Sequence, residues 1–253
     1  MSAAWRALTD ELARWRESGR VAEFWWRDDD AARPDPALAR LCALSAQASV
    51  PLALAVVPLG ADPALLGALG QTVTVIQHGT DHRNRAGAGE KKTEYPAVES
   101  AQAAAARLAA AREQLATWAG DRFVPVLVPP WNRLPENLVG QLVPAGLRGL
   151  SRYGARTSAQ PAPGVRQVNT HVDLVAWHAG RGFVGEDAAL EAAVRHLAAK
   201  RVGRADAGEP TGWLSHHAVH DEASWAFLEQ LFETLRAAPG LRWCGAQELF
   251  HVS

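Results

Sequence analysis

Thr72-Val73-Thr74-Val75-Ile76-Gln77-His78-Gly79-Thr80-Asp81-His82 runs from a β-branched segment straight into a pair of histidines. The β-branched part reads as a buried strand, so the polar pentapeptide His78 to His82 falls at its C-terminal end. Taken as one helical turn, the i, i+4 spacing sets both imidazoles on one side, where a carboxylate from another strand would complete three protein ligands to a metal. An open fourth position is what hydrolytic zinc sites require. The run Asp28-Asp29-Asp30, which closes the apolar segment Val21 to Trp26, offers such a carboxylate.

The same order of apolar segment and polar cluster recurs along the chain. Val128-Pro129-Pro130-Trp131-Asn132-Arg133 follows the strand-like Phe123 to Val128, and Leu214-Ser215-His216-His217 overlaps the short run Trp213 to Ser215. Pro51 to Val57 reads as another buried strand, Leu147 to Ser151 as a weak one and Leu241 to Trp243 as the last, while Val165 to Asn169 and Leu174 to Trp177 flank the polar knot Asn169 to Asp173. Helical segments lie between them. Asp35-Pro36 supplies an N-cap and a first-turn proline for Ala37 to Gln47, Asp62-Pro63 repeats that chemistry, and the alanine-rich stretch from Pro96 to Trp118 is the longest helix. Glu136 to Leu142, Glu186 to Lys200 and Glu222 to Leu235 complete the set, with Asp221 as an N-cap. Arg152 to Gly164 reads as a surface loop.

Alternating strands and helices with no long gap predict an α/β fold, a (β/α) barrel with right-handed crossovers, here a distorted barrel of seven parallel strands. Barrels of this kind carry their chemistry at the C-terminal strand ends, where every cluster named above falls. The 253 residues fit one catalytic domain spanning 1–253, with residues 1–20 as an amphipathic N-terminal helix and not a signal peptide.

A net charge of -1 argues against nucleic acid as a partner, and no apolar run is long enough to span a membrane. A cytoplasmic protein is therefore expected. Cys42 and Cys244 belong to no Cys-x-x-Cys or zinc-finger pattern and read as buried apolar fillers.

Taken in order, Asp29-Asp30, His78 to His82, Pro129-Pro130-Trp131, Asp173 with Trp177, and Leu214-Ser215-His216 resemble the signature set of the polysaccharide deacetylase superfamily, carbohydrate esterase family four. The resemblance implies a metal-dependent hydrolase that removes an N-acetyl group from an amino sugar or glycan precursor. It assigns Asp30, His78 and His82 to one divalent cation, with zinc the expected ion. Asp29 becomes the general base and His216 the general acid. Trp131 lines the groove and offers its backbone N–H to the oxyanion, while Asp173 orients the catalytic histidine. Two histidines and a carboxylate also suit non-heme iron oxygenases, but the implied acid and base favour hydrolysis.

Two departures from the family pattern matter. Val128 stands where the family has an arginine that partners the base, and Ala31-Ala32 replace a glycine-proline. Arg133 is the expected substitute for that arginine, with Arg27 the second choice. If neither served, a catalytically inactive carbohydrate-binding protein would be the better reading. The triple aspartate leaves a register ambiguity, Asp28-Asp29 or Asp29-Asp30, because alternation along a strand sends only alternate residues to one side. The same ambiguity separates His216 from His217. Asn169, His171 and Asp173 alternate and are expected to share a face, which makes His171 and Trp177 possible substrate contacts. Arg83, Arg85, Lys91 and Lys92 in the loop after the histidines form a charge cluster of the kind usually left to solvent.

Overall fold

Segments such as Leu52-Ala53-Leu54-Ala55-Val56 have no polar face because both their faces are covered. The computed structural model of the chain describes residues 2–236 and 238–251. The N-terminal helix α1 (Ala3–Glu17) precedes β1 (Ala22–Ala31), α2 (Pro36–Ala48) and β2 (Leu52–Val56). One helical turn, α3 (Ala64–Gly67), leads to β3 (Val73–His78), the long α4 (Ala101–Ala119), β4 (Phe123–Val128) and α5 (Glu136–Val139). Three two-residue strands follow, β5 (Gly149–Leu150), β6 (Arg166–Gln167) and β7 (Val172–Asp173). The chain ends with α6 (Glu186–Arg201), β8 (Thr211–Ser215), α7 (Glu222–Arg236), β9 (Leu241–Trp243) and α8 (Ala246–Leu249).

The strands form one sheet in the order β6-β5-β4-β3-β2-β1-β8-β7, with β9 on the start of β1, and every ladder is parallel. The segment holding β6 and β7 closes it. The N–H groups of Arg166, Val168 and Thr170 donate to the carbonyls of Arg148, Leu150 and Arg152, and then those of His171 and Leu174 donate to Gly212 and Leu214. Thus β6 and β7 are consecutive pieces of one interrupted strand that changes partner after Thr170. Counted so, the ring has the seven positions expected of the distorted barrel, and β9 is an extra strand beneath β8.

Alternation along β2 sorts the core into layers. Leu52, Leu54 and Val56 pack outward with Phe24 and Trp26 against helical side chains such as Leu41, Leu190, Leu228 and Phe232. Ala53 and Ala55, small where the ring is narrow, face Trp25, Ile76, Val126 and Phe250 inside. Each large side chain so buried contributes about 1.5–3 kcal/mol. Phe250, just past α8, sets its ring edge-on to Trp25 at 5.9 Å and plugs the base of the barrel. Gly212 is required on β8, since a Cβ there would lie 2.4 Å from the Trp25 indole nitrogen and 2.6 Å from the Asn169 carbonyl.

Of the boundaries that differ from the sequence expectation, three have a local cause. The first strand runs on through the aspartates to Ala31, because those polar side chains find buried partners. The longest helix begins at Ala101, where the Ser100 hydroxyl accepts from the Ala103 amide at 3.2 Å, and not at Pro96. Leu174 to Trp177 is a turn beyond β7, bent by the Asp173 carboxylate accepting from the Val175 amide. The two cysteines are free and buried, and no helix among the described residues is long and apolar enough to cross a membrane.

Candidate active site

The end of β1 breaks the alternation on which the register question turned. Its pairing with β2 shifts between Asp28 and Ala31, and Asp30 takes a left-handed φ of 70°. Asp28 keeps to the face of Trp26, where its carboxylate accepts from the Ser215 hydroxyl at 2.6 Å and the His217 amide at 3.0 Å and pairs with His217 Nδ1. Asp29 and Asp30 both line a cavity of about 1120 Å³ at the mouth of the barrel, so neighbouring residues serve one cleft. His216 lines that cavity and His217 does not.

His78 and His82 meet Asp30 by a route other than the expected helical turn. His78 is the last residue of β3, and the chain then turns through Gly79 at φ 59° and His82 at φ 55°. A side chain at Gly79 is excluded, because its Cβ would lie 2.1 Å from the buried Glu94 carboxylate and 2.6 Å from Pro130. Glu94 accepts from the amides of Thr80 and Asp81 and so shapes the loop. The result sets Asp30 Oδ1 2.9 Å from His78 Nε2 and 3.2 Å from His82 Nε2.

Proton placement tests whether a cation fits there. His78 Nδ1 lies 3.1 Å from the Val128 carbonyl, which can only accept, so Nδ1 carries the proton and Nε2 presents a lone pair to the carboxylate. In the neutral ring these facing lone pairs repel, and either a second proton on Nε2 or a cation between the two atoms removes the repulsion. Burial pulls the proton affinity of His78 down, yet the Asp30 bond and the charges of Asp29 and Asp30 raise it above the ordinary value. Burial likewise would lift the Asp30 carboxyl, but the two imidazoles hold it well below the usual range. Two imidazoles and one carboxylate converging from two strand ends fit a divalent cation with an open side toward the cavity.

Around these three side chains stand the remaining predicted residues. Arg27, fully buried and two residues before Asp29 on the same strand face, grips it with Nε at 2.8 Å and Nη2 at 2.9 Å. Arg133 does not reach Asp29; its Nη1 donates to the Lys92 carbonyl at 2.6 Å on the rim. Arg27 therefore takes the place expected of Arg133. Trp131, at φ 55° in the turn after β4, packs against the His82 ring at 4.5 Å. Asp173 accepts from the Trp177 indole N–H at 2.9 Å and not from His216, and the Trp177 ring in turn stands edge-on to His216 at 4.7 Å. Any orienting of His216 by Asp173 thus passes through the indole.

His171 lies outside the cleft, contrary to the shared face expected of Asn169, His171 and Asp173. The chain changes strand partner between Thr170 and His171, so the alternation stops there. His171 stacks on His196 at 3.4 Å, and its Nε2 faces the buried Glu209 carboxylate at 3.3 Å. Because the Gly212 amide donates to His171 Nδ1, the neutral ring holds its proton on Nε2. Rings stacked within 15° of parallel also aim their lone pairs side by side and not at one point, so this cluster is a poor metal site. Burial above all, then the charges of His171 and Lys200, push His196 down to about 2 from 6.5. Unfolded His196 binds a proton near 6.5 and folded His196 does not, so its contribution is complete above that pH and is lost as pH falls below it. A His196→Gln chain should show an acid limb of stability shallower by up to about 1.4 kcal/mol per pH unit. Urea melts from about pH 6.5 down to about pH 4.5 measure it, and an unchanged slope would exclude the neutral His196.

Asp28, Glu94 and Glu209 escaped the sequence reading as structural carboxylates. Asp28 joins the strand that carries Asp29 and Asp30 to the one that leads to His216. Burial works against its charge, but His217 and Ser215 hold its carboxyl below the ordinary value. Asp28→Ala would strand His217 and should destabilise the fold by about 3–5 kcal/mol, read as a lowered urea midpoint at unchanged slope.

No protein-family profile matches the chain, and no curated protein does either. Among solved structures it is similar to a CE4 esterase from Streptococcus mutans, at 16% identity and a TM-score of 0.58 over 93% of this chain and 89% of that one. It is also similar to the chitin deacetylase from Colletotrichum lindemuthianum, at 16% identity and 0.55 over 92% and 89%. A family 4 acetyl xylan esterase from Clostridium thermocellum, in complex with a cobalt ion, matches at 14% identity and 0.52 over 90% of each chain. At these identities the likeness establishes a shared fold, the parallel barrel.

Proposed function

We propose that this chain belongs to the polysaccharide deacetylase superfamily and is a metal-dependent hydrolase that removes an N-acetyl group from an amino sugar. The observation that carries the reading is the convergence of Asp30, His78 and His82 on the floor of a cleft that also holds Asp29, paired with Arg27, and His216. The order of these motifs in the sequence and the fold shared with deacetylases and esterases support it. A cobalt ion in one of those neighbours agrees with the donor set.

Asp30, His78 and His82 would hold the cation, which when bound polarises an acetamide carbonyl and a water. Asp29 takes a proton from the attacking water, with Arg27 holding the carboxylate in place by one hydrogen bond from Nη2 and an ion-pair contact from Nε. The Trp131 backbone N–H is the proposed donor to the developing oxyanion, and its indole forms one side of the groove. His216 delivers a proton to the amine nitrogen as the C–N bond breaks. Acetate and a free amino sugar leave.

Zinc is the proposed ion and a glycan precursor of cell-surface or lipopolysaccharide synthesis in the cytoplasm the proposed context. The presence of Arg27 at the base removes the main reason for preferring an inactive binding protein. Metal analysis of the purified chain, together with a mass-spectrometric assay for acetyl loss from acetylated amino sugars, decides the matter. Bound metal with no acetate release from any sugar would count against the enzyme.

A further inference from the structure

Several guanidinium groups of this protein are matched to carboxylates. Arg27 meets Asp29, Arg85 meets Asp81, Arg107 meets Glu99 and Arg156 meets Asp206. Four cations that line the cavity are different. Lys91, Lys92, Arg133 and Arg181 form no ion pair among the described residues, although the chain as a whole is slightly acidic. Arg83 and Arg85, from the same basic stretch as the lysines, are spent on Asp81.

The four come from three stretches of the wall. The bond from Arg133 Nη1 to the Lys92 carbonyl ties the lysine loop to the turn that bears Trp131 and leaves the other guanidinium donors free. Arg181 sits in the turn bearing Trp177, closed by its amide donating to the Ala176 carbonyl at 3.1 Å. Below them the acidic charge is already partly answered, since Arg27 neutralises Asp29 and a divalent cation would neutralise Asp30. Only Asp173 remains among the lining carboxylates. A cavity with its metal in place would therefore be positive, and a neutral acetamido sugar would give these cations hydroxyls to bond but no charge to pair with.

We propose that the substrate is an acetylated amino sugar bearing a phosphate ester, a sugar phosphate or diphosphate conjugate, whose phosphate oxygens are held by Lys91, Lys92, Arg133 and Arg181. Guanidinium and ammonium donors spread over three wall segments suit a group with several equivalent oxygens and more than one negative charge. The inference rests on the deacetylase reading of the same cleft and adds to it the class of the aglycone. A nucleoside diphosphate and a lipid-linked phosphate share that chemistry.

The zinc-loaded protein should be assayed for acetate release from four compounds at low salt and at high salt. They are the methyl glycoside of N-acetylglucosamine, its 1-phosphate, its uridine diphosphate conjugate and a short prenyl diphosphate conjugate. The phosphorylated compounds should exceed the methyl glycoside in kcat/KM by at least about tenfold, the worth of one charge-assisted hydrogen bond. Salt should shrink the ratio, as should Lys91→Gln with Lys92→Gln, and Arg181→Gln. The two conjugates rank the nucleotide and lipid sources. Equal kcat/KM for charged and neutral sugars would overturn the inference and leave the deacetylase standing. If none of the sugars loses acetate, the deacetylase reading falls and the inference with it. Calorimetry of the 1-phosphate against the methyl glycoside separates the two failures: tighter binding of the 1-phosphate keeps the phosphate-holding role of the wall without the deacetylase, and equal binding overturns that role too.

Discussion

His78→Ala is expected to lose metal and activity together. The imidazole is anchored at Nδ1 by the Val128 carbonyl and presents Nε2 to Asp30 Oδ1 at 2.9 Å, so no neighbouring side chain is placed to replace it. Loss of an outer partner of a metal ligand typically lowers metal affinity by about 10- to 100-fold, and loss of the ligand itself should exceed that. The variant should leave a chelating column with less than stoichiometric metal, and turnover should fall in proportion to occupancy. The fold should survive, because His78 ends its strand at the cavity and the core layers lie beneath it. Full metal content in a soluble His78→Ala chain, by elemental analysis, would remove this residue from the proposed ligands.

The features that set this site differ in how far they can be read from the sequence. Apolar runs ending in polar clusters mark buried strands whose C-terminal ends meet at one mouth, and that inference needs only periodicity and the geometry of parallel barrels. Asp35-Pro36 is as local: the carboxylate accepts from the Leu38 amide at 2.7 Å, as an N-cap should. Arg27 carried a readable signal, since a residue two before Asp29 on a strand shares its face, whereas Arg133 had only proximity to the prolines to recommend it. The left-handed turn at Asp30 left no mark, because a non-glycine residue at φ 70° is held by its surroundings and not by its own preference. The same holds for His171, whose face depends on a change of strand partner. Glu94 and Glu209 act over loops that sequence periodicity does not describe.

Asp29→Asn and His216→Ala test the division of labour between the two proposed proton carriers, and each should lower turnover by about 10² to 10⁴. Neither residue is among the proposed ligands, so both variants should keep their metal, in contrast to His78→Ala. An amide at Asp29 can still accept one bond from Arg27, yet it cannot take the water's proton, and the loss should fall on kcat. His216 touches the Trp177 edge and has no protein partner at its buried Nδ1, so its removal should leave the fold largely intact. His217→Ala makes the informative control. That imidazole is bound to Asp28 on the far face of β1, so its loss should lower stability before it lowers kcat. If His217→Ala abolishes acetate release in a folded chain while His216→Ala retains it, the acid is one residue on. Full activity in both would place the proton donor elsewhere and sink the assignment of this cleft wall.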